Sequence, residues 1–448
     1  MPLDLRRICG YNGGMGITVP KRISQAILNS LSAGVVPRIG LEYIAVGRKR
    51  EIETALEDFE NIGEGAAAFR FIIGRYGSGK TFFLQALRNY ALERDYICAD
   101  ADLSPDKKLT GSSGTGRASY RELLQRLSTK IRPDGGALEA LLQRWINSIQ
   151  NETIKAGYSQ DESDFASRVE WKINEIIGSI KEYVHGFDFV TVLLHYYRAF
   201  IAGDDEKKST ALRWIRGEYT TRTEAKKFLP VGEIVTDDSW YDHLKLFAAF
   251  CVRIGYRGLL VFIDEGVNLF KITNRRSREN NYEKLLSIFN DIMQGKSQWL
   301  GFYMGGTPQF LEDERRGLAS FPALKSRLEE SRFVRSGHVN SGSPIIRLST
   351  LSNEEIFILL ERLTEIHAVH YGHESWIGEE EITAFLELAL SSPGAAEFIT
   401  PREITRDYLA LLNILKDQSE TDFFELIQRE DRRVRAASPE DLYAQFQV

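Results

Sequence analysis

Four short runs of mostly apolar, β-prone residues occur along the chain, at positions 67–73, 96–101, 258–263 and 299–305. Continuous apolar runs of this length are typical of strands that are buried on both faces. Such strands occur in parallel sheets whose two faces are covered by helices. The pattern therefore predicts an α/β fold built on a parallel sheet.

Residues with helical spacing fill the long segment between the second and third predicted strands. Runs such as 120–127 and 189–197 fit amphipathic or buried helices. The connection between two strands of a minimal α/β core needs far fewer residues than this, so we predict a large, mostly helical insertion at residues 105–250.

The chain is long enough for two or three modules. Ser352 and Glu355 have the spacing of a capping box, which predicts the start of a helical region. The predicted division is a helical lead-in at 1–45, an α/β core at 46–104 and 251–348, the insertion at 105–250, and a helical lid with a C-terminal tail at 349–448.

The first predicted strand runs into an eight-residue glycine-rich loop and then into a helical pattern. This strand–loop–helix order is typical of the phosphate-binding loop of ATPases. Backbone N–H groups curl around the phosphates there, Lys80 reaches the β- and γ-phosphates, and the Thr81 hydroxyl binds Mg²⁺. A chance glycine-rich turn is the alternative. The predicted cofactor-binding residues are Gly74, Arg75, Tyr76, Gly77, Ser78, Gly79, Lys80, Thr81 and Phe82.

The third predicted strand ends in the carboxylate pair Asp264–Glu265. Carboxylates at the tip of a central parallel strand lie where α/β sheets bind ligands. Asp264 is the predicted Mg²⁺ residue, and Glu265 is the predicted general base that polarises the attacking water. A solvated acidic turn is the alternative. Together with the phosphate loop, the pair predicts a magnesium-dependent ATPase.

The fourth predicted strand is followed by Gly306, Thr307 and Pro308. In ATPases with an extra strand between the two motif strands, a polar side chain at this strand end senses the γ-phosphate. Thr307 is the candidate for that role. Capping of the helix after Pro308 explains the same residue equally well, so both interpretations are open.

The net charge of −6 means that any contact with nucleic acid depends on local patches. Residues 207–227 hold seven basic and two acidic residues, and three arginines fall within 271–278. Either patch fits contact with DNA phosphates or an ordinary solvated face. The basic residues are Lys207, Lys208, Arg213, Arg216, Arg222, Lys226 and Lys227 in the first patch, and Arg275, Arg276 and Arg278 in the second.

Cysteine usage and hydropathy predict the location of the protein. The three cysteines are scattered, which fits a reducing cytosol and neither a disulfide framework nor a metal site. No segment reaches the roughly 18 apolar residues of a membrane span, and the N-terminus lacks the apolar stretch of a signal peptide. We expect a cytoplasmic protein without membrane contact.

Three histidines, His367, His370 and His373, have a spacing that brings them near one helix face. No carboxylate-backed zinc motif surrounds them, and Gly372 weakens the helix. We therefore favour a structural role over metal binding.

With these motifs in this order, the chain resembles AAA+ ATPases. Residues 46–52 resemble the element that borders the adenine in that family, which implies cofactor contacts by Gly47 and Arg48. The resemblance further implies that Arg327 reaches a neighbouring subunit, with Arg315 or Arg316 as alternates. It places Arg402 where the lid presents a sensor arginine. These roles imply a homo-oligomer.

A narrower resemblance is to the ATP-binding proteins of BREX-type phage-defence islands. The segments that carry it are 32–42, 102–105, 213–217, 255–259 and 305–308. It implies an AAA+-like ATPase that is encoded beside helicases or methyltransferases and acts against phage DNA. The leading hypothesis is an ATP-hydrolysing motor or switch that acts on DNA. The alternative is a nucleotide-gated scaffold that binds ATP, turns over negligibly and recruits the helicase or methyltransferase.

Overall fold

The computed structural model of the protein contains the four predicted strands and a fifth. It describes residues 18–111, 113–329, 340, 342–373, 377–391, 400–418 and 422–436. Residues 1–17 of the predicted lead-in and 437–448 of the predicted tail lie outside the described residues. The strands are β1 (Ala67–Gly74), β2 (Ile97–Asp102), β3 (Leu259–Asp264), β4 (Leu300–Gly306) and β5 (Ile345–Leu348).

The strands form one sheet in the order β2-β3-β4-β1-β5. The pairs β1–β4, β3–β4 and β2–β3 are parallel, so the predicted α/β fold with a parallel sheet is confirmed. The register pairs Ile73 with Gly306, and Ile263 with Met304. β1, β3 and β4 therefore end level with one another at one edge of the sheet.

Helices account for most of the remaining described residues. In chain order they are α1 (Lys21–Ser32), α2 (Leu41–Ile44), α3 (Lys49–Gly63), α4 (Lys80–Glu93), α5 (Thr115–Gln125), α6 (Leu138–Lys155), α7 (Phe165–Ile177), α8 (Gly186–Ala202), α9 (Asp205–Ile215), α10 (Arg222–Lys226), α11 (Trp240–Arg253), α12 (Val267–Phe270), α13 (Arg275–Met293), α14 (Pro308–Glu312), α15 (Pro322–Leu328), α16 (Asn353–Tyr371), α17 (Glu379–Ser391), α18 (Pro401–Asp417) and α19 (Phe423–Ala436). No helix among the described residues is long and apolar enough to cross a membrane.

Aromatic contacts hold β1 and β4 in register. Phe69 of β1 stacks on Phe302 of β4 with ring centroids 5.0 Å apart. Phe289 of α13 packs edge-on against Phe69 at 5.5 Å and covers this face of the sheet. Buried aromatic pairs add roughly 0.5–1.5 kcal/mol each beyond the area they bury, so these contacts favour the observed strand pairing.

The segment between β2 and β3 contains α5 to α11, and two buried tryptophans and a buried tyrosine there have hydrogen-bond partners for their polar atoms. The indole N–H of Trp240 donates to the Leu109 carbonyl at 2.8 Å, and that of Trp214 donates to the Glu233 carbonyl at 2.9 Å. The Tyr120 hydroxyl donates to the Ile215 carbonyl at 2.9 Å. These bonds avoid the cost of burying unpaired polar atoms.

The chain divides into two compact units. Unit 1 comprises Met1–Glu53, Gly74–Ala86 and Leu348–Val448, and unit 2 comprises Thr54–Ile73 and Leu87–Arg347. In unit 1, α1 packs against α16 and α18. Unit 2 holds β2, β3 and β4, most of β1 and β5, and α5 to α15. The domain boundaries given above stay a prediction.

His243, on α11 in unit 2, is a buried histidine that is held neutral. Its Nδ1 lies 3.0 Å from the Ser239 carbonyl, and its ring stacks on His185 at 4.6 Å. Its Nε2 is buried and has no hydrogen-bond partner among the described residues. Burial lowers the pKa of His243 to about 4.

This depressed pKa predicts acid sensitivity of unit 2. The unfolded chain binds a proton on this imidazole below about pH 6.5, whereas the folded protein resists protonation until about pH 4. The part of the free energy of unfolding that depends on His243 is therefore greatest above about pH 6.5, and it decreases as the pH falls towards about 4. Between pH 7 and pH 5 the loss should be about 2 kcal/mol. Denaturant unfolding at both pH values measures it. His243→Asn keeps a donor near Nδ1 and should flatten the pH dependence; an unchanged slope would contradict the prediction.

Candidate nucleotide-binding site

The predicted phosphate loop, residues 74–81, leaves β1 at Gly74 and enters α4 at Lys80. Gly77 and Gly79 have φ angles of 77° and 84°, in the left-handed region that residues with a Cβ rarely adopt. A Cβ on Gly77 would lie 2.5 Å from the Thr400 methyl carbon and 2.8 Å from the Thr400 Cβ. The glycines therefore allow both the curl of the loop and a close approach by Thr400.

The side chains of the loop fit a polyphosphate. Lys80 Nζ donates to the carbonyls of Gly74 at 3.0 Å and of Arg75 at 2.9 Å, so its ammonium lies across the loop. Ser78 Oγ is buried and has no hydrogen-bond partner in the part of the chain that the structure describes. The positive end of α4 adds to the attraction for an anion. The Lys80 ammonium, the Ser78 hydroxyl and the N-terminus of α4 are therefore chemically suited to bind a chain of phosphates.

The remaining predicted loop residues lie towards solvent. Arg75 and Thr81 are exposed, and Phe82 is half-buried. Tyr76 is 77% exposed, the largest value among the exposed large hydrophobic side chains of the described residues.

Arg48 contacts the phosphate loop directly. Its side chain is only 5% exposed, and Nη2 donates to the carbonyls of Ser78 at 3.0 Å and Ser349 at 2.6 Å. Burial lowers the pKa of Arg48, and the carboxylates of Glu51 and Glu355 counteract part of that shift. Gly47, with φ 68°, lets the chain pass against the Glu355 carboxylate.

The start of α18 lies beside the same loop within unit 1. Thr400 caps this helix in a capping box with Glu403, and its methyl group faces Gly77. Arg402 is exposed on the first turn of α18, with its aliphatic stem beside Gly34. Unit 1 therefore brings Arg48, the phosphate loop and the first turn of α18 together.

Unit 2 contains the predicted carboxylates at the end of β3. Glu265 is exposed and has φ 58°, a backbone conformation that costs a non-glycine residue about 1 kcal/mol. Its N–H donates to Asp264 Oδ1 at 2.7 Å. The turn is held by a hydrogen bond from Gly266 N–H to the Gly305 carbonyl and by one from the Asn268 amide to the Leu103 carbonyl. Such strain persists only where the surroundings hold the turn.

Thr307 caps α14, as one of the two interpretations predicted. Its hydroxyl oxygen accepts the Phe310 N–H at 3.2 Å. A hydroxyl has two acceptor sites and one hydrogen to donate, so capping leaves the donor available. The sensing role of Thr307 stays a prediction.

Arg327 is exposed on α15 and is held by hydrogen bonds. Nε donates to Asn290 Oδ1 at 2.7 Å, and Nη1 donates to the Ala323 carbonyl at 2.8 Å. Of the two carboxylates that follow it, Glu330 lies outside the described residues. Of the alternates, Arg315 is exposed, whereas the guanidinium of Arg316 lies over the Phe270 ring at 5.3 Å.

Most of the cations in the basic patch at 207–227 form ion pairs with nearby carboxylates. Carboxylates just outside that window, at Asp204, Asp205 and Glu233, pair with cations inside it. The pairs are Lys207–Asp204 at 2.8 Å, Lys208–Asp205 at 2.5 Å, Arg222–Glu233 at 2.6 Å and Arg213–Glu224 at 3.0 Å. Lys226 and Lys227 remain exposed beside Phe228.

In the second patch, Arg278 is buried and donates to the Ile272 carbonyl at 2.7 Å, so it supports the turn. Arg275 pairs with Glu279 at 2.8 Å. Arg276 is exposed.

The histidines of α16 have protein partners. His370 Nδ1 lies 2.8 Å from Ser24 Oγ, and His367 lies between His373 at 3.2 Å and Asn413 at 3.3 Å. Within the described ranges, no group of three or more His, Cys, Asp or Glu side chains is arranged to hold a metal ion.

A family model for the BREX system ATP-binding protein BrxC/D matches residues 19–431. The chain belongs to the BrxC/D family. Membership implies ATP binding and a part in BREX anti-phage defence, and the family predicted from the sequence is confirmed. No curated protein matches this BrxC/D family member.

Two residues of this BrxC/D protein's candidate site were not predicted from the sequence. Thr400 was detectable, because Thr400, Pro401 and Glu403 have the pattern of a helix N-terminus. Ser349 was not, because it contributes only a backbone carbonyl, which any residue could supply.

The approach of Thr400 predicts the effect of Gly77→Ala. The added methyl group has to displace a capping residue, so we expect nucleotide affinity to fall at least tenfold, or about 1.4 kcal/mol. Gly372→Ala is the matched control, because Gly372 has a similar φ of 74° and open space around it. Titration with a fluorescent ADP analogue measures both variants. Equal affinities in the two variants would contradict the role assigned to the close approach.

Proposed function

We propose that this BrxC/D family member is an ATPase that binds Mg–ATP at residues 74–81 and hydrolyses it with Glu265 as general base. The observation that supports this most is the register of the sheet. β1, β3 and β4 end level with one another, so the chain enters the phosphate loop from the edge at which Asp264 and Thr307 stand. Ligands of open α/β sheets bind at the carboxyl ends of such strands.

Binding rests on the loop and its lysine. Loop N–H groups and the Lys80 ammonium hold the β- and γ-phosphates, with the Lys80 contacts to Gly74 and Arg75 exchanged for phosphate oxygens. Thr81 and Asp264 would hold Mg²⁺, which supplies charge neutralisation on the phosphates when bound. Few protein oxygens are needed, because Mg²⁺ usually keeps several waters, and Asp264 would hold the ion through one of them.

Hydrolysis rests on Glu265, which accepts the proton of the attacking water. Its carboxylate is exposed, and the hydrogen-bonded turn presents it from a strained backbone. A protein that only binds ATP has no need of such a strained acceptor.

The strand order and the helices after β5 support an AAA+-like core. β4 lies between β1 and β3, where that class carries its extra strand. In such a core Thr307 senses the γ-phosphate, Arg402 on α18 acts as the lid arginine, and Arg327 serves a neighbouring subunit of a homo-oligomer. Gly47 and Arg48 complete the nucleotide contacts.

DNA and a helicase or methyltransferase are the proposed partners. Lys226, Lys227 and Arg276 are exposed cations suited to DNA phosphates. If the protein is instead a nucleotide-gated scaffold, ATP binds but turnover stays negligible with and without DNA. ATPase assays under both conditions separate these functions.

Two substitutions should separate binding from hydrolysis. Lys80→Ala removes the phosphate-binding cation and should abolish ATP binding. Glu265→Gln keeps the side chain's shape but cannot accept a proton, so it should bind ATP normally and lose turnover by roughly a hundredfold or more. Equilibrium binding and phosphate release measure the two effects. Parent-level hydrolysis by Lys80→Ala would refute the site, and equal loss of binding and turnover in Glu265→Gln would refute the general base.

Arg327 should act between subunits. An arginine supplied in trans stabilises the developing charge by a factor on the order of 10³ or more. Turnover per subunit should therefore rise with protein concentration, and Arg327→Ala mixed with Lys80→Ala should regain activity. Arg168→Ala removes another exposed, hydrogen-bonded arginine and should keep the parent's turnover. Concentration-independent turnover without complementation would show that Arg327 serves only its own chain through Asn290 and Ala323.

A further inference from the structure

Arg48 joins two backbone segments of unit 1 through one nitrogen. Its Nη2 donates to the carbonyls of Ser78 at 3.0 Å and Ser349 at 2.6 Å. Ser78 belongs to the phosphate loop, and Ser349 directly follows β5. A buried guanidinium needs such acceptors, because leaving its N–H groups unpaired costs more than an ordinary lost hydrogen bond.

The bond to Ser78 fixes the direction of a peptide group in the loop. In a planar trans peptide the C=O and the following N–H point in opposite directions. The Ser78 carbonyl points towards Arg48, so the Gly79 N–H points away from Arg48. Phosphate loops bind anions through such inward-turned N–H groups.

The bond to Ser349 links the loop to the entry of the lid. Three residues later, Ser352 caps α16 in a capping box with Glu355. The Glu355 carboxylate lies against Gly47, the residue before Arg48. Arg48 therefore stands where the phosphate loop and the start of α16 share contacts.

We propose that Arg48 is a positioning residue that holds the Ser78–Gly79 peptide in its anion-binding orientation and ties it to the segment leading into α16. This rests on the proposed function, since it assumes that the loop binds phosphates. It differs from an adenine-bordering role, because Arg48 acts through the backbone carbonyls of Ser78 and Ser349 and not through a contact with the base.

Pyrophosphate distinguishes the two roles, because it contacts the phosphate loop and lacks a base. The experiment measures the affinity of the full chain for a fluorescent ADP analogue and its displacement by pyrophosphate. Arg48→Met should weaken both by about tenfold or more, the scale of a hydrogen bond to a charged donor. Arg48→Lys keeps the charge, but its nitrogen ends one bond short of Nη2, so it should recover only part of the loss.

Arg362→Met is the matched control. Arg362 is also a buried arginine of unit 1, and its Nη1 donates to the Ala45 carbonyl at 2.7 Å, outside the phosphate loop. Thermal unfolding checks that the variants are folded. We expect Arg362→Met to lose stability while keeping both affinities within about twofold of the parent.

Each alternative outcome overturns the proposal in a distinct way. Loss of ADP affinity with pyrophosphate affinity unchanged would assign Arg48 to the base. Equal loss in Arg362→Met would reduce Arg48 to a general packing role. Full recovery of both affinities in Arg48→Lys would show that the loss in Arg48→Met comes from the missing charge and not from a change in peptide orientation. If Arg48→Met does not fold, the Arg48→Lys result alone decides. A parent protein that binds neither ligand would instead refute the proposed function.

Discussion

Backbone hydrogen bonds between β1, β4 and β3 decide which residues reach one edge of the sheet. Their parallel register brings Ile73 level with Gly306, and it places Asp264, the last residue of β3, one residue short of that level. A slip by one residue would turn each strand's side chains to the opposite face. Phe69 on Phe302 resists that slip, because the stacked rings would separate. The proposed chemistry depends on this register, since a phosphate loop and a carboxylate pair can cooperate only from the same edge.

Local patterns predicted the features that depend on sequence neighbours. Buried strands need apolar runs, and a tight loop between a strand and a helix needs glycines, so β1 to β4 and the glycine-rich turn before α4 could be predicted directly. The anion-binding role of that turn stays a prediction. β5 was missed because four residues give too little pattern. The contact of Arg48 with Ser78 was missed because it joins residues thirty positions apart, and nothing in either segment specifies its partner.

The basic patches show why charge counted along a chain misleads. Residues 207–227 are strongly basic as a window, yet Asp204, Asp205 and Glu233 lie just outside it and pair with its cations. A phosphate group that approaches this patch meets side chains that are already in ion pairs. It therefore gains less interaction free energy than the number of lysines and arginines suggests. Exposed cations outside these ion pairs, such as Lys226 and Lys227, therefore support DNA binding more than the total number of basic residues does.

Unit 1 places two independent restraints on one short loop. Arg48 holds the Ser78 carbonyl, and Thr400 at the start of α18 packs against Gly77. Both restraints connect the loop to segments that follow β5. Free-energy coupling between sites is reciprocal, so whatever these contacts contribute to phosphate binding, bound phosphate contributes equally to holding those segments in place. Nucleotide binding to the loop and the positions of the helices after β5 then depend on the same contacts. This gives an ATP-binding defence protein a physical route from its nucleotide to a surface that a partner could recognise.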